Sequence, residues 1–242
     1  MSGGWLHLLA TVTLGPLLLV QGRHVRGSIE KLPEPPGARE GRAGRGPHLR
    51  VLFVGDSSAV GVGVSTLDDA LPGRVVAGLA SDHETDWRLI GRTGATTRDT
   101  LARLSREAAG SFDIAVTALG VNDVTRGRSL DGWLEEQAAL VTLLEERYAV
   151  RRTMLSGLPP VHRFPALPQP LRWYLGAQTR RFDRALARLA EGRRGCTHVP
   201  ISDQTGDAGS DAMASDGFHP GPRIYARWAE LVVEGIRRQE TK

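Results

Sequence analysis

From Arg50 onward the chain alternates between short apolar runs and helical stripes, and this alternation limits the fold more than any other feature. Arg50-Val51-Leu52-Phe53-Val54 is almost continuously apolar and stops at Gly55, the pattern of a strand buried on both faces. Trp87 to Ile90, Ile114 to Leu119, Thr153 to Leu155 and Thr197 to Ile201 repeat it. Between these runs, Leu101, Leu104 and Ala108 share one helical face behind a capping-box-like Thr96-Thr97-Arg98-Asp99. Leu130, Leu134, Val141, Leu144 and Tyr148 form a second stripe, and Leu175, Phe182, Leu186 and Leu189 a third. Ile224, Trp228, Leu231, Val232 and Gly235 form the last. Five such alternations predict an α/β chain, a three-layer α/β/α with a five-stranded parallel sheet. Right-handed crossovers then gather the strand C-terminal ends along one rim, where ligands sit in such folds.

Composition removes several classes of function. The 242 residues fit one ordinary domain plus an appendage. With 40% hydrophobic and 24% charged residues the chain is neither disordered nor fibrous. A core of this size stands without disulfides or metals. The single cysteine, Cys196, excludes an intramolecular disulfide and a multi-cysteine zinc site. The net charge is +4, but apart from Lys31 and Lys242 every basic residue is an arginine, scattered rather than striped. With aromatics at 5%, stacking platforms are scarce and no nucleic-acid partner is expected.

Residues 1–20 are the appendage. Trp5 to Val20 is apolar apart from His7 and two threonines, but it is sixteen residues long with Gly15-Pro16 inside, whereas a bilayer core asks for about 20. It lacks the basic start and small-x-small cleavage site of a secretory signal. Arg23, His24, Arg26 and Lys31 follow, suited to lipid headgroups, with Trp5 as the opposite anchor. Peripheral membrane contact through residues 5–20, with a cytoplasmic globular domain, is therefore the favoured expectation. The alternatives are a helix docked on the domain's own core in a cytoplasmic protein, and an atypical export signal. Residues 21–48 carry Pro33, Pro35, Pro36, Pro47, Gly37, Gly41, Gly44 and Gly46 and read as a linker. The globular domain is then 49–242.

The unusual residues collect at the expected rim. The first strand ends in Gly55-Asp56-Ser57-Ser58, which puts a serine hydroxyl just past a strand and at the mouth of a helix. Turns use the same residue types for ordinary reasons. A phosphate-cradling loop fits poorly, because neither GxGxxG nor Gly-Lys-Ser/Thr occurs. After the second strand comes Gly91-Arg92-Thr93-Gly94-Ala95, in which Gly94 offers an unobstructed N–H. After the third comes Gly120-Val121-Asn122-Asp123, whose asparagine either closes the strand or aims its amide toward Ser57. Asp216-Gly217-Phe218-His219-Pro220 precedes the last helix, and a carboxylate three residues before a histidine can accept its Nδ1–H. His83, His162 and His198 are not at ligand spacing near it, so no metal site is expected.

These four pieces, in this order, resemble the SGNH subgroup of the GDSL-type esterases and lipases, from about Leu49 to Ile236. A serine, Ser58, stands where the family name has leucine. The resemblance implies a flavodoxin-like SGNH hydrolase fold and a triad of Ser57, Asp216 and His219. It also implies an oxyanion hole of Ser57, Gly94 and Asn122, with Gly91 the alternative to Gly94. No cofactor or metal is implied. Asp56 and Asp123 are read as structural. The implied partner is a small-molecule or lipid ester; a carbohydrate O-deacetylase and an inactive membrane-tethered binding module are the alternatives. The proline-rich stretch from Pro159 to Pro170, with Leu171, Trp173 and Tyr174, is a candidate wall or lid of an acyl pocket, or a rigid connection.

Overall fold

A computed structural model of the chain describes residues 3–201 and 212–240, with side chains from Leu14 to Arg238. Helix α1 (Gly3–Ser28) comes first, then β1 (Glu40–Gly44) and β2 (His48–Gly55). The units that follow are α2 (Leu71–Leu79), β3 (Glu84–Gly91), α3 (Thr97–Leu104) and β4 (Ile114–Ala118). The short α4 (Val121–Thr125), α5 (Leu130–Tyr148) and β5 (Arg152–Ser156) lead to α6 (Leu171–Glu191), β6 (Cys196–Val199) and α7 (Pro222–Glu240).

The sheet has six strands in the order β1-β3-β2-β4-β5-β6. All neighbours are parallel except β1, which runs antiparallel to β3. The central strand β2 shows how its sequence sorts two layers. Leu49, Val51 and Phe53 point into one core with Val75 and Leu79 of α2 and Tyr225, Trp228 and Val232 of α7. Leu52 and Val54 point the other way, against Leu104, Leu140, Leu144 and Tyr148. Helix α3 begins where its sequence says it should. The Thr96 hydroxyl accepts from the Asp99 amide, and the Asp99 carboxylate accepts back from the Thr96 amide.

Four features depart from the sequence expectations. Five parallel strands lie at the anticipated runs, but a sixth, β1, comes from the stretch read as linker. It is mostly exposed and has no apolar alternation to betray it; Arg42 Nε meets Asp86 Oδ1 of β3 at 2.5 Å, and Arg88 Nε lies 3.8 Å from Glu40 Oε2. Helix α1 continues to Ser28, past the expected boundary at residue 20. Ser57 does not open a helix: β2 is followed by successive turns, a short 3-10 turn at Leu67–Asp69 comes next, and the first α-helix starts only at Leu71. Helix α3 also stops at Leu104, so Ala108 lies beyond it.

Among the described residues no helix is long and apolar enough to cross a membrane. Instead, Leu18 and Val25 of α1 are buried with Leu167, Leu171 and Leu175. Gln21 fastens this contact, its Nε2 donating to the Gln169 carbonyl (2.7 Å) and its Oε1 accepting from the Leu171 amide at the start of α6 (3.1 Å). The proposed anchor Trp5 lies outside the described side chains.

Candidate active site

Ser57 sits directly past β2 in a turn that the backbone closes on itself. Val60 N donates to Asp56 O and Val62 N to Ser57 O. Asp56 Oδ1 accepts from the Ser58 amide at 3.0 Å. This turn meets the last loop at Gly63, where an added Cβ would fall 2.3 Å from the Pro220 carbonyl oxygen, so only glycine lets the two segments touch. The Tyr225 hydroxyl of α7 donates to Val62 O at 2.9 Å and pins the same junction.

On the far side of that junction Asp216 holds His219. The Asp216 Oδ2 oxygen accepts from His219 Nδ1 at 2.5 Å, and Oδ1 accepts from the amides of Phe218 and His219, both at 2.9 Å. Burial alone would raise the Asp216 pKa, but the imidazole and the two amides outweigh it and hold the carboxyl below its ordinary value. With Nδ1 committed, Nε2 is the ring nitrogen left for chemistry. The Phe218 ring packs edge-on against Phe164 and against His219, fixing the imidazole plane.

Gly94 and Asn122 come from the ends of β3 and β4. Gly94 has φ +76°, a conformation a side chain resists, and the Arg126 guanidinium holds its carbonyl at 2.7 Å. Glu34 Oε1 accepts from both the amide (2.9 Å) and the hydroxyl (2.7 Å) of the preceding Thr93. Among the described residues neither the Ser57 nor the Gly94 amide has an acceptor. Asn122 Nδ2 donates to Asp56 Oδ2 at 3.0 Å and to the Ala95 carbonyl at 3.1 Å, so it is locked between the serine turn and the glycine loop. Asp56 is fully buried, and burial pushes its pKa up to about 6 despite the Ser58 and Asn122 donors. Asp123 turns away from the site and accepts from the Thr97 amide and hydroxyl; burial raises it to about 6 as well. Gly91 ends β3 inside the sheet against Val60 and, unlike Gly94, does not line a cavity that Ser57 borders.

Two cavities meet at this point, and Ser57, Asn122, Phe218 and His219 border both. The smaller, about 390 Å³, is walled by Pro159, Pro160, Phe164, Met213 and Trp228. The larger, about 730 Å³, runs between α1 and the start of α6. The proline-rich stretch therefore walls both. Trp173, grouped with it in the sequence, is not among their lining residues. Among the described residues no cluster of side chains suits a metal ion.

Sequence reasoning singled out Ser57, Gly94, Asn122, Asp216 and His219 but not what holds them, Tyr225 included. Glu34 belongs to the supposed linker and Arg126 is one arginine among many, so neither carried a signal of its own.

A family model for the GDSL-like lipase/acylhydrolase family matches residues 53–227. The chain belongs to that family. It is thereby a carboxylic ester hydrolase. Solved structures with the same fold include an acetylxylan esterase from Geobacillus stearothermophilus, with 19% identity over 79% of this chain and 95% of that one, at a TM-score of 0.59. A psychrotrophic esterase from Pseudoalteromonas sp. gives 18% identity over 80% and 99%, also at 0.59. A lipolytic G-D-S-L family member from Veillonella parvula gives 14% over 78% and 98%, at 0.60. No curated protein matches the chain in sequence.

Proposed function

We propose that this GDSL-family hydrolase cleaves a small-molecule carboxylic ester through Ser57, His219 and Asp216. The observation that carries the reading is a carboxylate-held imidazole and a turn serine bordering the same cavities, beside two amides without acceptors. Ser57 Oγ attacks the ester carbonyl as His219 Nε2 takes its proton, and Asp216 stabilises the resulting imidazolium. The tetrahedral oxygen accepts from the Ser57 and Gly94 amides and from the Asn122 amide, drawing one N–H away from its present partners. Collapse expels the alcohol, which receives the proton from His219. Water activated by the same histidine then releases the acid and restores Ser57.

Fluorophosphonate labelling followed by peptide mapping tests the assignment. Label is expected on Ser57 and is expected to disappear in both Ser57→Ala and His219→Ala. Label on another residue, or undiminished ester hydrolysis by Ser57→Ala, overturns it.

A further inference from the structure

The larger cavity is built only in part by the hydrolase sheet and its loops; its other wall is α1. Leu18, Gly22 and Val25, spaced along one face of the helix, and Ile29 just past its end border it opposite Leu167, Leu171 and Leu175. It reaches Ser57, Gly94, Asn122 and His219 at one end. Its volume, about 730 Å³, is in the range that encloses an extended small ligand. Two α1 glycines on this wall keep it wide. A Cβ added at Gly15 would have no neighbour within 4 Å, and one at Gly22 only the Arg26 guanidinium at 4.0 Å. Each glycine lowers helix stability by up to about 1 kcal/mol relative to alanine, so neither helps α1 as a helix; both leave room.

From these observations we infer that α1 is the specificity wall of the enzyme, and that the groove beside it takes the acyl chain of a medium- or long-chain ester. This rests on Ser57 being the nucleophile as proposed above. The leucines, Val25 and Ile29 reward methylene burial at about 0.8 kcal/mol per CH₂ along the α1–α6 side, while the polar groups that border the cavity, among them Arg26, Glu30, Lys31 and Arg126, are the ones a sugar would need to reach. The direction of the chain follows from the helix. Just beyond the C-terminal end of α1, Glu30 accepts from Ser215, the neighbour of catalytic Asp216, so that end lies at the reacting centre. Gly22 is therefore nearer the ester than Gly15, and the two are separated by seven residues, or about 10 Å of helix.

The test uses the full chain and a series of p-nitrophenyl esters from acetate to dodecanoate, which changes the acyl chain and keeps the leaving group constant. Wild type is expected to show kcat/KM rising from acetate to at least octanoate. Gly22→Leu is expected to lower the decanoate-to-acetate ratio of kcat/KM by about 10-fold or more. Gly15→Leu is expected to lower it only for the longest esters. A ratio taken within one variant does not depend on how much of it is folded. Acetate preference in wild type, or ratios unmoved by either variant, overturns the groove assignment. So does a Gly22→Leu effect seen with decyl acetate but not with p-nitrophenyl decanoate, which places the alcohol there instead. Loss of acetate hydrolysis in Ser57→Ala is read separately: if it persists, the nucleophile is wrong, and if it vanishes while the ratios stay flat, only the groove is.

Discussion

Among the described residues, three histidines pair with a carboxylate; His48 with Asp86 is exposed, and of the two sheltered pairs only one faces the cavities beside Ser57. His219 and His198 are equally sheltered, with side chains 14% and 15% exposed. Each bonds a carboxylate that also accepts backbone amides: Asp216 those of Phe218 and His219, Asp183 that of Leu158. Burial and pairing therefore do not separate them. The ring nitrogen does. His219 spends Nδ1 on its partner and borders the cavities beside Ser57, whereas His198 spends Nε2 on Asp183 Oδ1 (2.9 Å) and borders neither cavity. The Asp183 pair instead ties α6 to β6 and to the loop after β5. A histidine–aspartate contact becomes a base only through which nitrogen is left over and what that nitrogen faces.

The largest contrast should come from deleting the two rings. His219→Ala is expected to lower kcat by about 10⁴-fold or more, and His198→Ala by no more than about 3-fold, measured on one ester under saturating conditions. Comparable losses would break the distinction. Next come the partners. Asp216→Asn should cost up to about 10⁴-fold in kcat by presenting the wrong tautomer. Asp183→Asn should act on folding instead, by about 1–3 kcal/mol in urea unfolding, because buried donors lose a charged acceptor.

Smaller still is the effect expected of the oxyanion donor proposed beside the His219 pair, which the His198 pair lacks. Asn122→Ala is expected to reduce kcat about 100–1,000-fold, equivalent to about 2.7–4 kcal/mol. An unchanged kcat would remove Asn122 from the reaction.

The finest contrast sets two carboxylates of the site against each other by pH. Asp216 is held below its ordinary pKa, so its stabilisation is present above the unfolded value and fades as pH falls through the folded one. Asp56 is raised to about 6, so the folded state keeps its proton longer than the unfolded chain does, and stability falls as pH climbs from about 4 to 6. That fall amounts to at most about 3 kcal/mol. Urea unfolding at pH 4.5 and 7.5 checks it: Asp56→Asn should remove its share of the decline and leave that of Asp123, which is also raised to about 6, and Asp216→Asn should remove none.

Much of this was legible in the chain because the parallel strands are buried on both faces and announce themselves as apolar runs. The site motifs follow directly on three of those runs or precede the last amphipathic helix, so adjacency drew notice to Ser57, Gly94, Asn122 and His219, and the family resemblance supplied their roles. What stayed hidden lacks such a signature. Helix α2 buries Leu71, Val75, Val76 and Leu79, but Pro72, Gly73 and Gly78 break up its stripe. Strand β1 is polar because the antiparallel backbone ladder to β3, with salt links on its exposed side, holds it, and only Ala43 leans on the core. The Asn122 to Asp56 contact joins residues 66 apart in sequence and exists only once two strand ends lie side by side.

Strand β1 also shows what a cut just before Leu49 would do. Such a cut strips the whole antiparallel partner from β3, whose register with β1 covers Glu84 to Arg88. The amides and carbonyls left bare there form a ready template for another chain, so the shortened protein is expected to self-associate edge to edge. The supposed linker is thus a short polar hem laid along the longer edge of β3.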